Sequence, residues 1–387
     1  MKIALFTDTY PPEINGVSVS VGLHQKVLMD QGHEVLVITT NPFGKQIVIE
    51  AGVIRIPGVE LKKLYNYRLS SFFSAKAYQY IRKWKPDVIH IHTDIGIGIF
   101  GKITAFFLKV PTVVTYHTMY EDYTHYAGFL KGLASRVVKQ FSKSIAEQCT
   151  EFISPSLKTK EKIRSYGVDR YINIVPTGID FSRFQLASLD RNKLAEIKNR
   201  WILPGEKVLL SLGRVAKEKS MEVIVKGFAK VIQPGEEHIR LLMVGDGPHR
   251  HGLIDLANQL GISDKVTFVG AVPIQEVPYY YQVADVFVSA SLTETQGLTF
   301  MEAMVSDRLV LCRFDENLAE LIRHQQTGFI FSDEEDFVRQ VKTIFNLTKE
   351  KREQIKGDVA TAVNRYSLPN FYQNLIEVYQ RATRQYW

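Results

Sequence analysis

The stretch Ser291-Leu-Thr-Glu-Thr-Gln-Gly-Leu-Thr-Phe-Met-Glu-Ala-Met304 combines two carboxylates, a glycine turn and the start of a helix. Seven residues separate Glu294 from Glu302, and Gly297 between them can open a helix that carries Glu302 one and a half turns in. The first amides of such a helix point outward and form an anion site. These amides belong to Gly297, Leu298 and Thr299. A ligand with phosphates on the helix end and hydroxyls near Glu302, such as a sugar nucleotide, suits this geometry.

The alternative is a surface helix whose first turn carries acidic residues that bind nothing. Directly upstream, however, Ala284-Asp-Val-Phe-Val-Ser289 has the pattern of a short buried strand. The glycine turn then joins the carboxyl end of a strand to a helix, and open α/β sheets bind their ligands at that edge. The context favours a binding site.

The length of 387 residues suits two domains, and the composition is that of a folded protein, with 45% hydrophobic and 23% charged residues. Cys149 and Cys312 provide no disulfide framework and are interpreted as reduced thiols of a cytoplasmic protein. The N-terminus is interpreted as a strand rather than a signal peptide. The apolar stretch from Ile95 to Val114 contains Lys102, Lys109 and Pro111, so we expect no membrane span there.

The net charge of +7 lies in the first half of the chain. Residues 1–180 hold 22 basic and 15 acidic residues, a balance of +7, whereas residues 181–387 hold 26 of each. An anionic partner is therefore expected at the first half. The basic pI of 9.1 comes without any nucleic-acid recognition motif, so no nucleic-acid partner is expected.

Short apolar runs alternate with amphipathic segments, which predicts βαβ units and parallel sheets. In the first half the predicted strands are residues 2–7, 33–39, 87–92, 112–116 and 152–154, with a helix at 17–31. In the second half they are residues 208–213, the strand and turn at 241–248, residues 266–270 and residues 284–289, followed by helices that end with residues 370–384. The Pro- and Gly-containing stretch from Val175 to Phe184 interrupts this alternation, and we place a domain boundary near Gly178.

Three local patterns have both a functional and a structural interpretation. His90 and His92 share a strand face and are a possible metal pair, but no third ligand follows at metal spacing, so core histidines are favoured. The loop from Tyr116 to Tyr126 packs aromatics, two histidines and two acids just after a strand, which favours function over simple packing. Arg214 follows a predicted strand, where its guanidinium suits a diphosphate, although exposed cations are usually only solvated.

The Glu-x7-Glu pattern with Gly-Leu-Thr inside it resembles the donor-site motif of retaining glycosyltransferases of family 4. The segment Gly-Arg-x-x-x-Glu-Lys that ends at Lys219 is similar to the diphosphate clamp of that family. The resemblance covers nearly the whole chain. It implies an α/β GT-B fold, with two Rossmann-like parallel-sheet domains facing each other across a cleft. The implied segments are residues 1–178, residues 179–365, and a C-terminal helix at 366–387 that crosses back to the first domain.

The resemblance also implies roles for individual residues. Arg214, Lys219 and the amides of Gly297, Leu298 and Thr299 would hold the donor diphosphate, together with the loop at Gly16. Glu302 would bind the ribose, Glu294 and His117 the sugar, and the backbone around Val269 would lie beside the nucleobase. His117, Glu294, Arg214 and Lys219 would take part in catalysis. Neither a metal nor another cofactor is expected.

The extended pattern Tyr-His-Thr…Asp-Tyr…His-Tyr at residues 116–126 looks most like the branch that glucosylates diacylglycerol. It implies transfer of glucose from UDP-glucose, with retention of the α configuration, to a membrane diacylglycerol or glycosyl-diacylglycerol. The alternatives are a same-fold enzyme with a soluble acceptor, or a nucleotide-sugar epimerase or binding protein. The residues do not distinguish glucose from galactose, or one oligomeric state from another.

One departure from the family pattern lies at Ala303-Met-Val-Ser-Asp-Arg-Leu-Val310, which lacks the usual glycine and proline of the turn. We predict that Asp307 adopts the left-handed conformation that glycine would otherwise supply.

Two acid-free stretches, residues 61–85 and 129–143, interleave cations with aromatic and aliphatic residues. They predict helices that lie in the headgroup plane of an anionic membrane, although the second also fits a core-facing helix with a solvated basic face. The expected location is cytoplasmic, peripheral on the inner face of the cell membrane. The cations are Lys62, Lys63, Arg68, Lys76, Arg82, Lys83 and Lys85 in the first stretch and Lys131, Arg136, Lys139 and Lys143 in the second.

Overall fold

The computed structural model describes two compact units. Unit 1 comprises Met1–Gly178 and Leu368–Trp387, and unit 2 comprises Ile179–Ser367. The described residues are all except 14, 51, 62–66, 118–130, 233–237, 293, 295–296 and 387, and at 60, 61, 67–69, 131–134 and 317 the description covers the backbone.

In the described part of unit 1, nine strands form one sheet in the order β3-β4-β2-β1-β6-β7-β8-β9, with β5 paired to β4. The pairs β3–β4 and β4–β5 are antiparallel and the others are parallel. The strands are β1 (Lys2–Phe6), β2 (Glu34–Asn41), β3 (Val48–Glu50), β4 (Val53–Leu61), β5 (Tyr67–Ser70), β6 (Val88–Ile91), β7 (Thr112–Thr115), β8 (Glu151–Ser154) and β9 (Asn173–Ile174).

Helices cover both faces of this sheet, because its central strands are apolar on both sides. On β1, Ile3 and Leu5 pack into one core with residues of α1, whereas Ala4 and Phe6 pack into a second core with residues of α2 and α3. Side chains of a strand alternate between its faces, so one short strand supplies both cores. The helices between the strands are α1 (Gly16–Asp30), α2 (Ala75–Trp84), α3 (Ile97–Leu108), α4 (Lys131–Glu147) and α5 (Leu157–Ser165).

Unit 2 contains an all-parallel sheet in the order β12-β11-β10-β13-β14-β15. Counted from the start of the unit, this is the Rossmann order 3-2-1-4-5-6, whose strand order reverses between β10 and β13. The strands are β10 (Lys207–Leu212), β11 (Ile239–Val244), β12 (Val266–Gly270), β13 (Val286–Ser289), β14 (Leu309–Arg313) and β15 (Phe329–Phe331). The helices are α6 (Arg191–Trp201), α7 (Met221–Val231), α8 (Arg250–Gln259), α9 (Val277–Val283), α10 (Leu298–Val305), α11 (Glu334–Phe345) and α12 (Lys349–Asn364).

The last helix, α13 (Leu368–Tyr386), belongs to unit 1. The Tyr379 hydroxyl lies 2.7 Å from Nδ1 of His90, and Nε of Arg381 donates to Oε1 of Glu151 at 2.8 Å. A Cβ atom at Gly178 would approach Cβ of Phe371 to 2.7 Å, so a larger residue at this position would clash with α13.

The acid-free stretch at residues 61–85 is not one amphipathic helix, which corrects the prediction from sequence. Its residues Tyr67–Ser70 form β5, antiparallel to β4, and among the described residues of this stretch the helical part is α2. The antiparallel pairing uses backbone hydrogen bonds to β4 that residue pattern alone did not reveal. Within the second stretch the helix α4 begins at Lys131, and residues 129–130 lie outside the described residues.

Candidate functional site

The loops after β10 and β13 meet at the point where the strand order of unit 2 reverses. Lys219 ends a short 3-10 turn after β10, and Glu294 follows β13. Nζ of Lys219 lies 2.7 Å from Oε1 of Glu294 and 3.5 Å from Oγ of Ser291. The side chains of Lys219 and Glu294 are only 26% and 13% exposed, so limited screening by water strengthens the pair. The topology therefore joins two predicted site residues that are 75 positions apart.

Arg214 lies two residues after the end of β10. Its guanidinium contacts the carboxylate of Glu218, whereas Lys219 contacts that of Glu294. An NH2 group of Arg214 donates to Oε1 of Glu218 one turn later, and the arginine side chain remains 43% exposed. The two predicted phosphate-binding cations are thus each held by a glutamate. A bound diphosphate would have to compete with those carboxylates or be added beside them.

Gly297 is the N-cap of α10, and the helix itself begins at Leu298. Its φ of 74° lies in the left-handed region, and a Cβ atom there would approach Cδ2 of Leu318 to 2.4 Å. The positive φ favours glycine, and the lack of room for a Cβ atom favours it further. The amides of Leu298 and Thr299 stand in the first turn, where helical geometry provides no carbonyl partner, so this helix end is suited to an anion.

Glu302 lies on α10 below that helix end. Its Oε2 accepts a hydrogen bond of 2.9 Å from the hydroxyl of Tyr281, which also lies 3.1 Å from the carbonyl of Thr299. Burial raises the pKa of Glu302 from 4.5 to about 7, and the Tyr281 hydrogen bond partly opposes this rise. The carboxyl group is therefore poised between its two protonation states near neutral pH.

Two residues that orient the predicted glutamates were missed from the sequence. Tyr281 belongs to the run Tyr279-Tyr280-Tyr281 of α9, to which no motif in the sequence assigned a role. Asp315 follows β14, and its carboxylate accepts a hydrogen bond of 3.2 Å from the backbone amide of Glu294. Asp315 is 5% exposed, so this contact holds the loop of Glu294 from inside the protein.

The altered turn after α10 keeps the geometry of a glycine turn, which confirms the prediction for Asp307. Asp307 has a φ of 67°, its amide donates to the carbonyl of Met304, and the amide of Arg308 donates to the carbonyl of Ala303. Lys356 also contacts the Asp307 carboxylate at 2.8 Å. An aspartate can adopt this conformation at modest cost, and so the helix ends where the family's glycine would end it.

The remaining predicted residues lie on other elements. Val269 lies in β12 of unit 2, whereas Gly16 and His117 belong to unit 1. Gly16 is the first residue of α1, after the N-cap Asn15, whose Oδ1 accepts from the amide of Ser18 at 2.9 Å. A Cβ atom at Gly16 would meet no atom within 4 Å, which leaves room at this helix end. Residues 118–126 of the aromatic loop lie outside the described residues.

His117 follows β7 and stacks on His92, with ring centroids 5.3 Å apart and Nε2 of His117 3.0 Å from Nδ1 of His92. Burial and the nearby His24 lower the pKa of His117 to about 3. The ring is therefore neutral at physiological pH. A ligand contact would fall to Nδ1, the ring nitrogen that does not face His92.

A third histidine, His24 of α1, lies beside His90 and His92, and together the three could ligate a metal. One nitrogen of each of His24, His90 and His92 lies within 4.8 Å of the others, so the expectation that no third ligand is available to the pair was wrong. Sequence spacing could not reveal it, because His24 is brought to the sheet by helix packing.

The hydrogen bonds of this cluster nevertheless support the core interpretation. His90 uses both ring nitrogens, Nδ1 with the Tyr379 hydroxyl and Nε2 with Oγ1 of Thr115, each at 2.7 Å. Burial lowers the pKa of His24 to about 4 and the pKa values of His90 and His92 well below 6.5. A metal would need His90 to give up one of its two short hydrogen bonds. The cluster is accordingly a neutral part of the core, in which Nε2 of His92 is buried without a hydrogen-bond partner among the described residues.

Comparison with known proteins agrees with this architecture. Residues 14–183 match the model of Glycosyltransferase Family 4, and residues 194–358 match that of Glycosyl transferases group 1. The structure of Anabaena Alr3699/HepE in complex with UDP-glucose superposes with a TM-score of 0.76 at 16% identity, covering 97% of this chain and 98% of that one. The fold and the strand-end site thus define a GT-B glycosyltransferase.

Sequence relatives narrow the class. The chain is 32% identical over 382 residues to the alpha-monoglucosyldiacylglycerol synthase of Streptococcus pneumoniae, covering 98% of this chain and 85% of the relative. It is 34% identical over 354 residues to the enzyme of the same name from Acholeplasma laidlawii, covering 88% and 87%. The chain belongs to glycosyltransferase family 4, in the branch of the diacylglycerol glucosyltransferases, and is a glycolipid glycosyltransferase. No described helix is long and apolar enough to cross a membrane.

Proposed function

We propose that this enzyme transfers glucose from UDP-glucose to diacylglycerol or a glycosyl-diacylglycerol and retains the α configuration. The relatives named for monoglucosyldiacylglycerol synthesis support the acceptor class, and the UDP-glucose complex of a protein with the same fold supports the donor. The observation that carries the proposal is the contact between Lys219 and Glu294 at the reversal of strand order, beside the amino end of α10.

The proposed roles follow from charge and position. The cleaved bond leaves a diphosphate with growing negative charge, which Lys219, Arg214 and the first amides of α10 stabilise. Glu294 accepts hydrogen bonds from sugar hydroxyls, and its contact with Lys219 orients it. Glu302 accepts from the ribose, His117 orients the sugar through Nδ1, and Gly16 lets the diphosphate approach α1. The backbone at Val269 lies beside the base.

The acceptor hydroxyl attacks the anomeric carbon on the face from which UDP departs, and a phosphate oxygen takes its proton. This path needs no carboxylate nucleophile and preserves the configuration. Two cations and a helix end supply the positive charge that a metal ion provides in other transferases, so the activity is expected to survive EDTA. Restoration of lost activity by Mg²⁺ or Mn²⁺ after EDTA treatment would refute the metal-free assignment.

The acceptor is a membrane lipid, so we place the enzyme at the cytoplasmic face of an anionic membrane, bound through unit 1. The excess of basic residues in the first half of the sequence supports this placement. Vesicle binding is expected to be strong at low salt and to weaken as ionic strength rises, because salt screens the attraction.

The test is to incubate purified enzyme with labelled UDP-glucose or UDP-galactose and with vesicles that contain diacylglycerol or glucosyl-diacylglycerol, with a soluble glycerol derivative as the comparison. We expect α-linked glucolipid from UDP-glucose, identified by NMR of the anomeric proton. A β-linked product would refute retention. Transfer to the soluble acceptor with none to lipid would refute the acceptor class.

A further inference from the structure

Unit 1 exposes a row of aromatic side chains at the edge of its core. Phe106 and Phe107, near the end of α3, are 77% and 61% exposed, and Phe72 and Phe73, just before α2, are 48% and 42% exposed. These four residues are named the aromatic ledge. Isolated exposed apolar residues are common, but two pairs of adjacent phenylalanines on neighbouring elements are not explained by packing.

Three of the four ledge rings, those of Phe106, Phe107 and Phe73, are linked through Tyr78. The rings of Phe106 and Phe107 lie 5.6 Å apart between centroids, Phe107 lies 6.3 Å from Tyr78, and Tyr78 lies 5.8 Å from Phe73. Tyr78 of α2 therefore joins the end of α3 to the residues that precede α2. At its other side, Phe73 contacts the buried Phe100 at 5.6 Å, so the row is anchored to the core.

The charged residues nearest the ledge in the sequence are basic. On α3, Lys102 precedes Phe106 by four residues and so lies on its side of the helix, and Lys109 is the residue that caps the end of α3. On α2, Arg82 follows Tyr78 by four residues in the same way and is exposed. Residues 71–86 and 95–110, which form both helices and their ends, contain no acidic residue.

We propose that the aromatic ledge inserts into an anionic lipid surface, with Lys102, Lys109 and Arg82 on the headgroups. Aromatic rings flanked by cations match the boundary between headgroups and acyl chains. The core of a protein interface is usually depleted of lysine, which makes a protein partner the poorer match. The inference rests on the proposed function only for the choice of a lipid partner. It adds α3, which the sequence did not indicate, to the membrane contact.

The experiment measures flotation with phosphatidylcholine vesicles, with and without phosphatidylglycerol, in the absence of donor sugar. Phe106→Ser/Phe107→Ser is expected to lower partitioning into anionic vesicles at least about tenfold. The matched control, Leu186→Ser/Leu203→Ser, removes two side chains of unit 2 that are 56% and 61% exposed and is expected to bind as the parent does. Unchanged melting temperatures show that both variants are folded.

Two further variants test insertion and charge. Phe107→Trp should give a blue-shifted emission with anionic vesicles and quenching by brominated acyl chains. Lys102→Gln/Lys109→Asn should weaken binding at low salt and approach the parent at high salt, with asparagine chosen because Lys109 has a φ of 53°.

Parent-like vesicle binding by the double phenylalanine variant would overturn the proposal. So would a parent that is dimeric in solution and becomes monomeric in this variant, since the ledge would then be an interface between copies of the chain. Because no sugar is present, an incorrect donor or acceptor assignment would leave the vesicle result unchanged.

Discussion

Nζ of Lys219 lies 2.7 Å from Oε1 of Glu294, and both groups stand at the point where the strand order of unit 2 reverses. The contact links a cation proposed to bind the diphosphate with a carboxylate proposed to bind the sugar. One residue thus influences both halves of the donor. Loss of the lysine would remove a charge from the phosphates and also leave a partly buried glutamate without this partner.

Lys219→Met is therefore expected to lower kcat/KM for UDP-glucose roughly 10²- to 10³-fold, as for other donors aimed at developing charge. Lys217→Met is the matched control, because it removes a lysine from the same 3-10 turn. Steady-state kinetics of both variants check the prediction. Equal losses in the two variants would show that net charge, rather than the position of Lys219, matters.

Glu218→Gln is expected to tighten UDP binding about two- to fivefold, because the Arg214 guanidinium no longer has to leave a carboxylate. The effect is small because the arginine side chain is 43% exposed and water screens the pair. Isothermal titration at low salt measures it. Weaker binding in Glu218→Gln would instead indicate that Glu218 positions Arg214 for the ligand.

The buried carboxyl of Glu302 predicts a pH dependence of stability. Its folded-state pKa of about 7 exceeds the ordinary 4.5, so the folded state holds a proton that the unfolded state has lost between these values. Glu302 then lowers the free energy of unfolding as pH rises from about 4.5 to about 7, by at most roughly 3 kcal/mol. The difference in unfolding free energy between the parent and Glu302→Gln should fall with pH across this window and stay flat above it.

The buried histidines act in the opposite direction, because their lowered pKa values make stability rise with pH up to about 6.5. Their effect is common to both proteins and cancels in the difference. Tyr281→Phe should move the Glu302 window to higher pH, since the tyrosine hydroxyl stabilises the carboxylate. A pH-independent difference in the denaturant titrations would refute the assignment to Glu302.

Gly297→Ala is expected to destabilise unit 2 by roughly 1–3 kcal/mol and to impair UDP binding, because the residue has a φ of 74° and Leu318 occupies the space for a Cβ atom. Gly16→Ala is the contrasting variant. It has open space around its Cβ position and an ordinary φ, so its stability should equal or slightly exceed that of the parent, while UDP binding weakens if the diphosphate approaches α1. Thermal unfolding and UDP titration separate the two cases, and an equally stable Gly297→Ala would contradict the steric argument.

Much of the fold was predictable because the signals are local. The two-sided apolar run of β1 predicted a buried strand, and β12 has the bounds expected from its residues. The exceptions have identifiable causes. The antiparallel strand β5 lies in a stretch whose cations and aromatics indicated a helix, and its partner β4 has Pro57 and Gly58 in its middle, which are uncommon within strands.

The candidate site divides in the same way. The residues at strand ends, such as Arg214 and Glu294, were visible because a strand, a glycine and a helix follow one another in the chain. Tyr281 and Asp315 were not, because each acts through one contact to a residue whose neighbourhood only the folded sheet creates.

The sequence by itself determined the alternation of strands and helices, the glycine at the start of α10 and the family motif, because these depend on short-range periodicity and backbone freedom. Only the tertiary structure decided that Lys219 contacts Glu294, that His24 completes a cluster with His90 and His92, and that the ends of α2 and α3 share an aromatic ledge. The physical reason is that strand order and helix packing, which bring together residues far apart in the chain, result from burying the whole core at once rather than from any one segment.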